Sequence, residues 1–263
     1  MREGLHRALN HLIEQCDARA PVRQLPVFIV SHSLGSLVTA AYLMEQAASG
    51  ISKRIRGVIF SGPAFSVTEV PGWRGWLQNS FIRFTFHTHE HYLHPDDDEF
   101  LPLQLFNQLL ALVTVPLQDG LMNTLSLPGI RQLTSPDTPD WVVNHLSDWE
   151  DERSRYRADM YIIRRTQLSF ALAVEKEVIR FRRRMAEFDV SYLLIYSVHD
   201  PITLAWGNED FVRATRDRHP VSKVVALHDE SHHEQLFSRP ALTEKLLSRI
   251  DCWLEKRIST ESE

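Results

Sequence analysis

Only two cysteines, Cys16 and Cys252, occur in the 263 residues, which excludes a disulfide framework and a zinc knuckle. No apolar run approaches the roughly 20 residues of a membrane span, and the first residues lack the apolar core of a signal peptide. Positive charge is scarce: 29 Lys and Arg stand against 34 Asp and Glu, a net charge of −5, which argues against a nucleic-acid-binding surface. Internal repeats and low-complexity tracts are missing as well. Against these absences stand 43% apolar and 24% charged residues, enough for a full core in one or two domains. The expectation is a soluble globular protein, cytoplasmic or peripheral to a membrane, with any signal on a missing N-terminal part escaping this reading.

The hydrophobic periods give the organisation. Leu5, Leu9, Leu12, Ile13 and Cys16 recur at a helical spacing that Pro21 and Pro26 end. Residues 27–30, Val-Phe-Ile-Val, are greasy on both strand faces, as in a parallel strand covered by helices. A helix is predicted from about Leu34 to Ala48, stopped by Gly50. A second short strand follows over residues 57–60 and ends in Ser61-Gly62-Pro63. The alternation returns near the C-terminus, with strands at 192–196 and 223–227 and a helix at 209–216 between them. A final helix carries Leu242, Leu246, Ile250 and Trp253 on one face. Strands alternating with helices in this way predict an α/β fold with a parallel sheet.

The middle of the chain differs. Residues 71–165 hold Trp73, Trp76, Trp141 and Trp149, with Phe81, Phe84 and Phe86, and no parallel-strand signal. The apolar stretch 101–117 is interrupted by Gln104, Asn107, Gln108 and Pro116. This part is expected to be a helical cap inserted into a core formed by residues 1–70 and 166–263. A separate helical domain is the alternative, and the similar strands on both sides favour the cap.

Residues 31–36, Ser-His-Ser-Leu-Gly-Ser, lie between the first strand and the next helix. A serine on such a strand-to-helix turn, with small residues two before and two after it, is the G-x-S-x-G elbow that lifts a nucleophilic hydroxyl above a sheet. Here the flanking positions are Ser31 and Gly35, and Ser36, Ala40 and Ala41 keep the helix slim against the sheet. A serine nucleophile needs a base and an orienting carboxylate. Asp200 follows the strand at 192–196, and the loop after the strand at 223–227 carries His228, His232 and His233. Serine, acid and histidine in this order at three strand ends form a far more specific pattern than any one motif.

The segments PVFIVSHSLGSLVTAAYLM, GVIFSGPAF, YLLIYSVHDPIT and HHEQLF together resemble the monoacylglycerol lipase and lysophospholipase branch of the α/β-hydrolases. Residues 156–160, Tyr-Arg-Ala-Asp-Met, resemble the segment where that family's cap rejoins the core, whereas residues 71–105 are longer and more divergent. The resemblance implies an α/β-hydrolase fold with Ser33 as nucleophile, Asp200 as acid and His233 as base, His232 being one residue away. It implies a serine hydrolase of lipid esters that forms an acyl-enzyme on Ser33 and uses no metal or organic cofactor. Ser197 stands where the family has a glycine, three residues before the acid.

One oxyanion donor is expected at the Leu34 N–H. The second normally comes from a loop after an earlier strand, and the residues before Ser33 offer only one helix and one strand. The strand at 27–30 would then be an exposed, apolar sheet edge. The N-terminal part of the sheet is therefore expected to be missing, or that edge covered in some other way. The same gap motivates the alternative of a non-catalytic hydrolase-fold protein that binds a lipid or a partner.

His87, His89 and His91 would share a face if extended, but zinc sites prefer other spacings, and a polar cap surface is favoured. The acidic run 96–99 and Arg180, Arg182, Arg183 and Arg184 read as solvated surface. The aromatic cap segments suit either core packing or peripheral contact with a membrane.

Overall fold

The computed structural model describes residues 2–20, 25–47, 50–66, 101–125, 127, 129–130, 140–160, 168–216, 223–228 and 232–259. The aromatic cluster at residues 73–86, the histidines at 87–94 and the acidic run at 96–99 lie outside them.

Four strands, β1 (Val27–His32), β2 (Ile55–Ser61), β3 (Tyr192–Ser197) and β4 (Lys223–Leu227), form a parallel sheet in the order β1-β2-β3-β4. Helices connect them, so the α/β arrangement expected from the alternation is present. Helix α1 (Arg2–Arg19) precedes β1, α2 (Leu34–Glu45) and the short α3 (Gly50–Arg54) lead to β2, and α8 (Ala205–Thr215) joins β3 to β4. The other described helices are α4 (Leu101–Leu125), α5 (Asp140–Leu146), α6 (Glu150–Ala158), α7 (Leu168–Arg184) and the C-terminal α9 (Pro240–Ser259).

The two-residue period of the central strands sorts their side chains onto two faces. Ile59, Leu193 and Ile195 join Leu227 on one face, against Leu242, Leu246, Ile250 and Trp253 of α9. Phe60 and Tyr192 point the other way and meet Phe65, Phe188 and Phe211. Ring centroids there are 5.4 Å apart for Phe60 and Phe65, 4.6 Å for Phe65 and Phe211, and 5.0 Å for Tyr192 and Phe211. These tilted and edge-on contacts fill the space between β2, β3 and α8 with rigid apolar volume.

Strand β1 lies at the end of the sheet, paired only with β2 among the described residues, and Val30 is 61% exposed, in keeping with the apolar edge expected there. Several local expectations shift. Gly50, expected as a stop, begins α3, and α8 starts at Ala205 rather than near residue 209. Helix α4 continues through Pro116, which gives up one backbone donor without ending the helix. No described helix is long and apolar enough to cross a membrane.

The chain divides into two compact units. One comprises Met1–Val67, Asp140–Asp159 and Arg184–Glu263 and contains the sheet; the other comprises Thr68–Pro139 and Met160–Arg183. The second has its own small cluster of Leu125, Leu172 and Ile179, with Ile130 packed against it. Helices α5 and α6 thus belong with the sheet, between two stretches of the second unit in sequence.

Candidate active site

Ser33 occupies the turn between β1 and α2 with φ 51° and ψ −125°, the one described non-glycine residue at positive φ. Such a backbone costs about 1–3 kcal/mol and persists only where its surroundings impose it. Here the Ser33 N–H donates to the Ser61 carbonyl at 3.1 Å, and the Ala64 N–H donates to the Ser33 carbonyl at 3.1 Å. The end of β2 therefore grips the turn from both sides. A serine at a helix N-cap normally accepts from the first-turn amides. Ser33 makes no such cap; its hydroxyl lies 2.7 Å from Nε2 of His233.

His233 and Asp200 come from the other two strand ends. Asp200 follows β3, and its Oδ2 is 2.7 Å from Nδ1 of His233. Both are buried, at 4% and 3% exposure. A carboxylate only accepts, so Nδ1 carries the imidazole proton, Nε2 is left as an acceptor, and the Ser33 hydroxyl donates to it. The three residues expected from the sequence are thus brought into one hydrogen-bonded line. His233, not its neighbour His232, is the histidine that reaches Ser33.

The acid is itself anchored. The N–H groups of Ile202 and Thr203 donate to Asp200 Oδ1 at 2.7 and 3.1 Å, and the Thr203 hydroxyl donates to Oδ2 at 2.9 Å. Burial alone would push this carboxyl up. The hydrogen bond and charge of His233, with the two backbone donors, outweigh burial and hold it below the usual carboxylate range. Thr203 was not singled out from the sequence, although Asp-Pro-x-Thr is the pattern of an Asx turn, which predicts these very bonds.

Three further residues shape the site. Gly62 has φ 51°, and a Cβ there would sit 2.7 Å from the His233 carbonyl and 3.0 Å from Gln235 Oε1. Only glycine meets both demands. The buried Gln235 links the histidine loop to the sheet: it accepts from the Ser61 hydroxyl at 3.2 Å and donates to the His232 carbonyl at 3.1 Å. His32, beside the serine, lies over the base with ring centroids 4.9 Å apart and hydrogen-bonds the His233 backbone. Its Nε2 is buried with no hydrogen-bond partner among the described residues. Nothing in the sequence sets His32 or Gln235 apart, because the contacts that matter reach across the chain, from His32 to His233 and from Gln235 to Ser61.

Burial and the charge of His233 push His32 down to about 4. An unfolded chain binds a proton on His32 near pH 6.5 that the native state refuses until about pH 4. Unfolding free energy should therefore fall as pH drops through that window, by about 3 kcal/mol from this residue. Denaturant titrations between pH 7 and 4 should show a markedly flatter pH dependence in His32→Asn than in the parent. Equal slopes would refute the assignment.

The Leu34 N–H opens α2, and no described residue accepts it. With the positive end of the helix macrodipole behind it, this amide is the natural donor to an anion forming beside Ser33. Among the described residues no group of three His, Cys, Asp or Glu side chains is arranged to hold a metal ion, and His87, His89 and His91 are not described.

Residues 3–239 match the family model described as serine aminopeptidase, S33. Among solved structures, a monoacylglycerol lipase from Paleococcus ferrophilus superposes with a TM-score of 0.58 at 16% identity, over 94% of this chain and 75% of the lipase. A soluble variant of the monoglyceride lipase of Saccharomyces cerevisiae, in complex with a substrate analog, gives 0.62 at 13% identity, over 97% of this chain and 68% of that one. At such identities the likeness is one of fold. No curated protein sequence matches the chain.

Proposed function

Because the chain belongs to the serine aminopeptidase, S33 family of α/β-hydrolases, we propose that it is a serine hydrolase of lipid carboxylic esters, acting on monoacylglycerols or lysophospholipids. One observation carries the serine mechanism: the Ser33 hydroxyl ignores the helix it caps and lies 2.7 Å from a histidine backed by a buried carboxylate.

In the proposed reaction Ser33 Oγ attacks the ester carbonyl carbon as its proton passes to His233 Nε2. Negative charge gathers on the former carbonyl oxygen, where the Leu34 N–H stabilises it. The tetrahedral species collapses by breaking the bond to the alkoxy oxygen, and His233 gives its proton to the departing alcohol. Water then attacks the acyl-enzyme, His233 takes one of its protons, and the fatty acid leaves as Ser33 Oγ recovers a proton. Asp200 keeps Nδ1 protonated throughout and stabilises the imidazolium.

A lipid substrate is supported by α4. Its 25 residues carry a single charged side chain, Asp119. Phe106, Leu109, Val113 and Leu117, three or four residues apart and hence on one face, are each more than half exposed, with Leu112 beside them. An exposed apolar stripe of this kind suits the surface of a membrane or lipid aggregate.

The test is hydrolysis of monooleoylglycerol and lysophosphatidylcholine in phosphatidylcholine vesicles, with a water-soluble butyrate ester and an aminoacyl nitroanilide alongside. Turnover of the glycerol or lysophospholipid esters is expected, and Leu109→Glu with Val113→Glu should cut the vesicle rate at least about tenfold while sparing the butyrate ester, since burying two such side chains is worth ~3 kcal/mol or more. Turnover confined to the nitroanilide would make the protein a peptidase and overturn the lipid reading.

A further inference from the structure

The loop that carries His233 runs between β4 and α9, and its described residues belong to no strand. Among its described residues, several backbone groups are satisfied by the end of α5 and the turn that follows it. The His233 N–H donates to the His145 carbonyl at 3.0 Å and the Glu234 N–H to the Leu146 carbonyl at 2.7 Å. The hydroxyl of Ser147, itself 1% exposed, donates to the Phe237 carbonyl at 2.7 Å and accepts from the Trp149 N–H at 3.1 Å. Asp148 closes the far end: its carboxylate accepts from the Ser238 hydroxyl and from the Arg239 N–H at 3.2 Å, and forms an ion pair with Arg239 Nε at 3.2 Å. Residues 233 to 239 are thus held at both ends by four consecutive residues from elsewhere in the chain.

Resting on the serine-hydrolase reading, we propose that Ser147 and Asp148 are positioning residues for the base His233. A proton-transferring imidazole must keep Nε2 within hydrogen-bonding reach of Ser33 while Nδ1 stays on Asp200, and a displacement near 1 Å is enough to cost about 10²-fold in rate. The backbone bonds from His145 and Leu146 fix the main chain of His233 and Glu234. The side chains of Ser147 and Asp148 fix the 3-10 turn Gln235–Phe237 that follows, so the histidine cannot slide along its loop. Asp148 suits this role chemically. Burial would push its carboxyl up, but the Ser238 and Arg239 hydrogen bonds and the Arg239 charge outweigh that and keep it below the usual range. In sequence the clamp lies between Thr68–Pro139 and Met160–Arg183, so the chain of the second unit leaves and returns through it.

The experiment compares the full chain with Ser147→Ala/Asp148→Ala and with Asp148→Asn, which keeps an acceptor for Ser238 and for the Arg239 N–H. Two readouts are taken: steady-state kinetics on a soluble ester, and the low-field proton resonance of the His233 Nδ1–H, assigned by its loss in His233→Ala. The double variant should lose about 10²-fold in kcat with KM changed less than about threefold. Its low-field resonance should broaden or vanish. Asp148→Asn should recover most of both. A folded double variant with parental kcat and an unchanged resonance would overturn the proposal, as would Asp148→Asn failing as badly as the double variant. If the double variant does not fold, Ser147→Ala alone is read by the same two measurements. If the parent hydrolyses no ester, the functional reading has failed and the resonance alone decides whether the clamp positions His233.

Discussion

Ser33→Ala is expected to remove ester turnover and all covalent labelling by a fluorophosphonate probe, with a loss in kcat of about 10⁶ where the reaction depends on an activated serine. The size follows from the geometry. The attacking atom is deleted, and among the described residues no other hydroxyl or thiol lies at hydrogen-bond distance from His233 Nε2. The substitution should not be stabilising either: alanine at φ 51° carries the same backbone strain as serine, and His233 Nε2 is left without its donor. Ser33→Gly separates the two effects. Glycine accepts positive φ, so this variant should be equally dead yet more stable than Ser33→Ala by about 1 kcal/mol. Thermal unfolding of both, next to probe labelling of the parent, makes the comparison. Persistent labelling of Ser33→Ala would place the reactive nucleophile elsewhere and remove the basis of the mechanism.

What the sequence disclosed depended on whether a signal was local. Strands β2 and β3 and the apolar face of α9 were legible because burial on a sheet imposes a short-range period. Ser33 and Asp200 were legible because each sits at a strand end where order along the chain carries meaning, and His233 was legible to within one residue. The choice against His232 needed the loop's path, which is set by His145 and Leu146, nearly 90 positions earlier. For the same reason Gln235, His32, Ser147 and Asp148 were invisible: each matters through residues far along the chain and has no period or motif. The edge position of β1 was legible only from the shortage of strands before it, since an apolar edge strand and an apolar central strand read alike from their own residues.

Asp200→Asn should be the most damaging change that deletes no reacting atom. Asparagine can be placed in two orientations, and the site chooses between them. The N–H groups of Ile202 and Thr203 both point at Oδ1, so the amide oxygen must sit there. The amide nitrogen then takes the place of Oδ2, facing His233 Nδ1, which has to become an acceptor. The imidazole proton moves to Nε2, where it blocks the very transfer from Ser33 that begins the reaction. With wild-type packing and the wrong tautomer, kcat should fall about 10⁴-fold at neutral pH while KM is little changed. Stability should also lose part of its acid sensitivity. Asp200 has its folded carboxyl held below its unfolded value, so its contribution is present above about pH 4 and fades as pH falls through the folded value, a loss the asparagine variant cannot show. A raised KM with unchanged kcat would instead mean that Asp200 holds substrate, and the hydrogen-bonded line from Asp200 through His233 to Ser33 would then have no catalytic meaning.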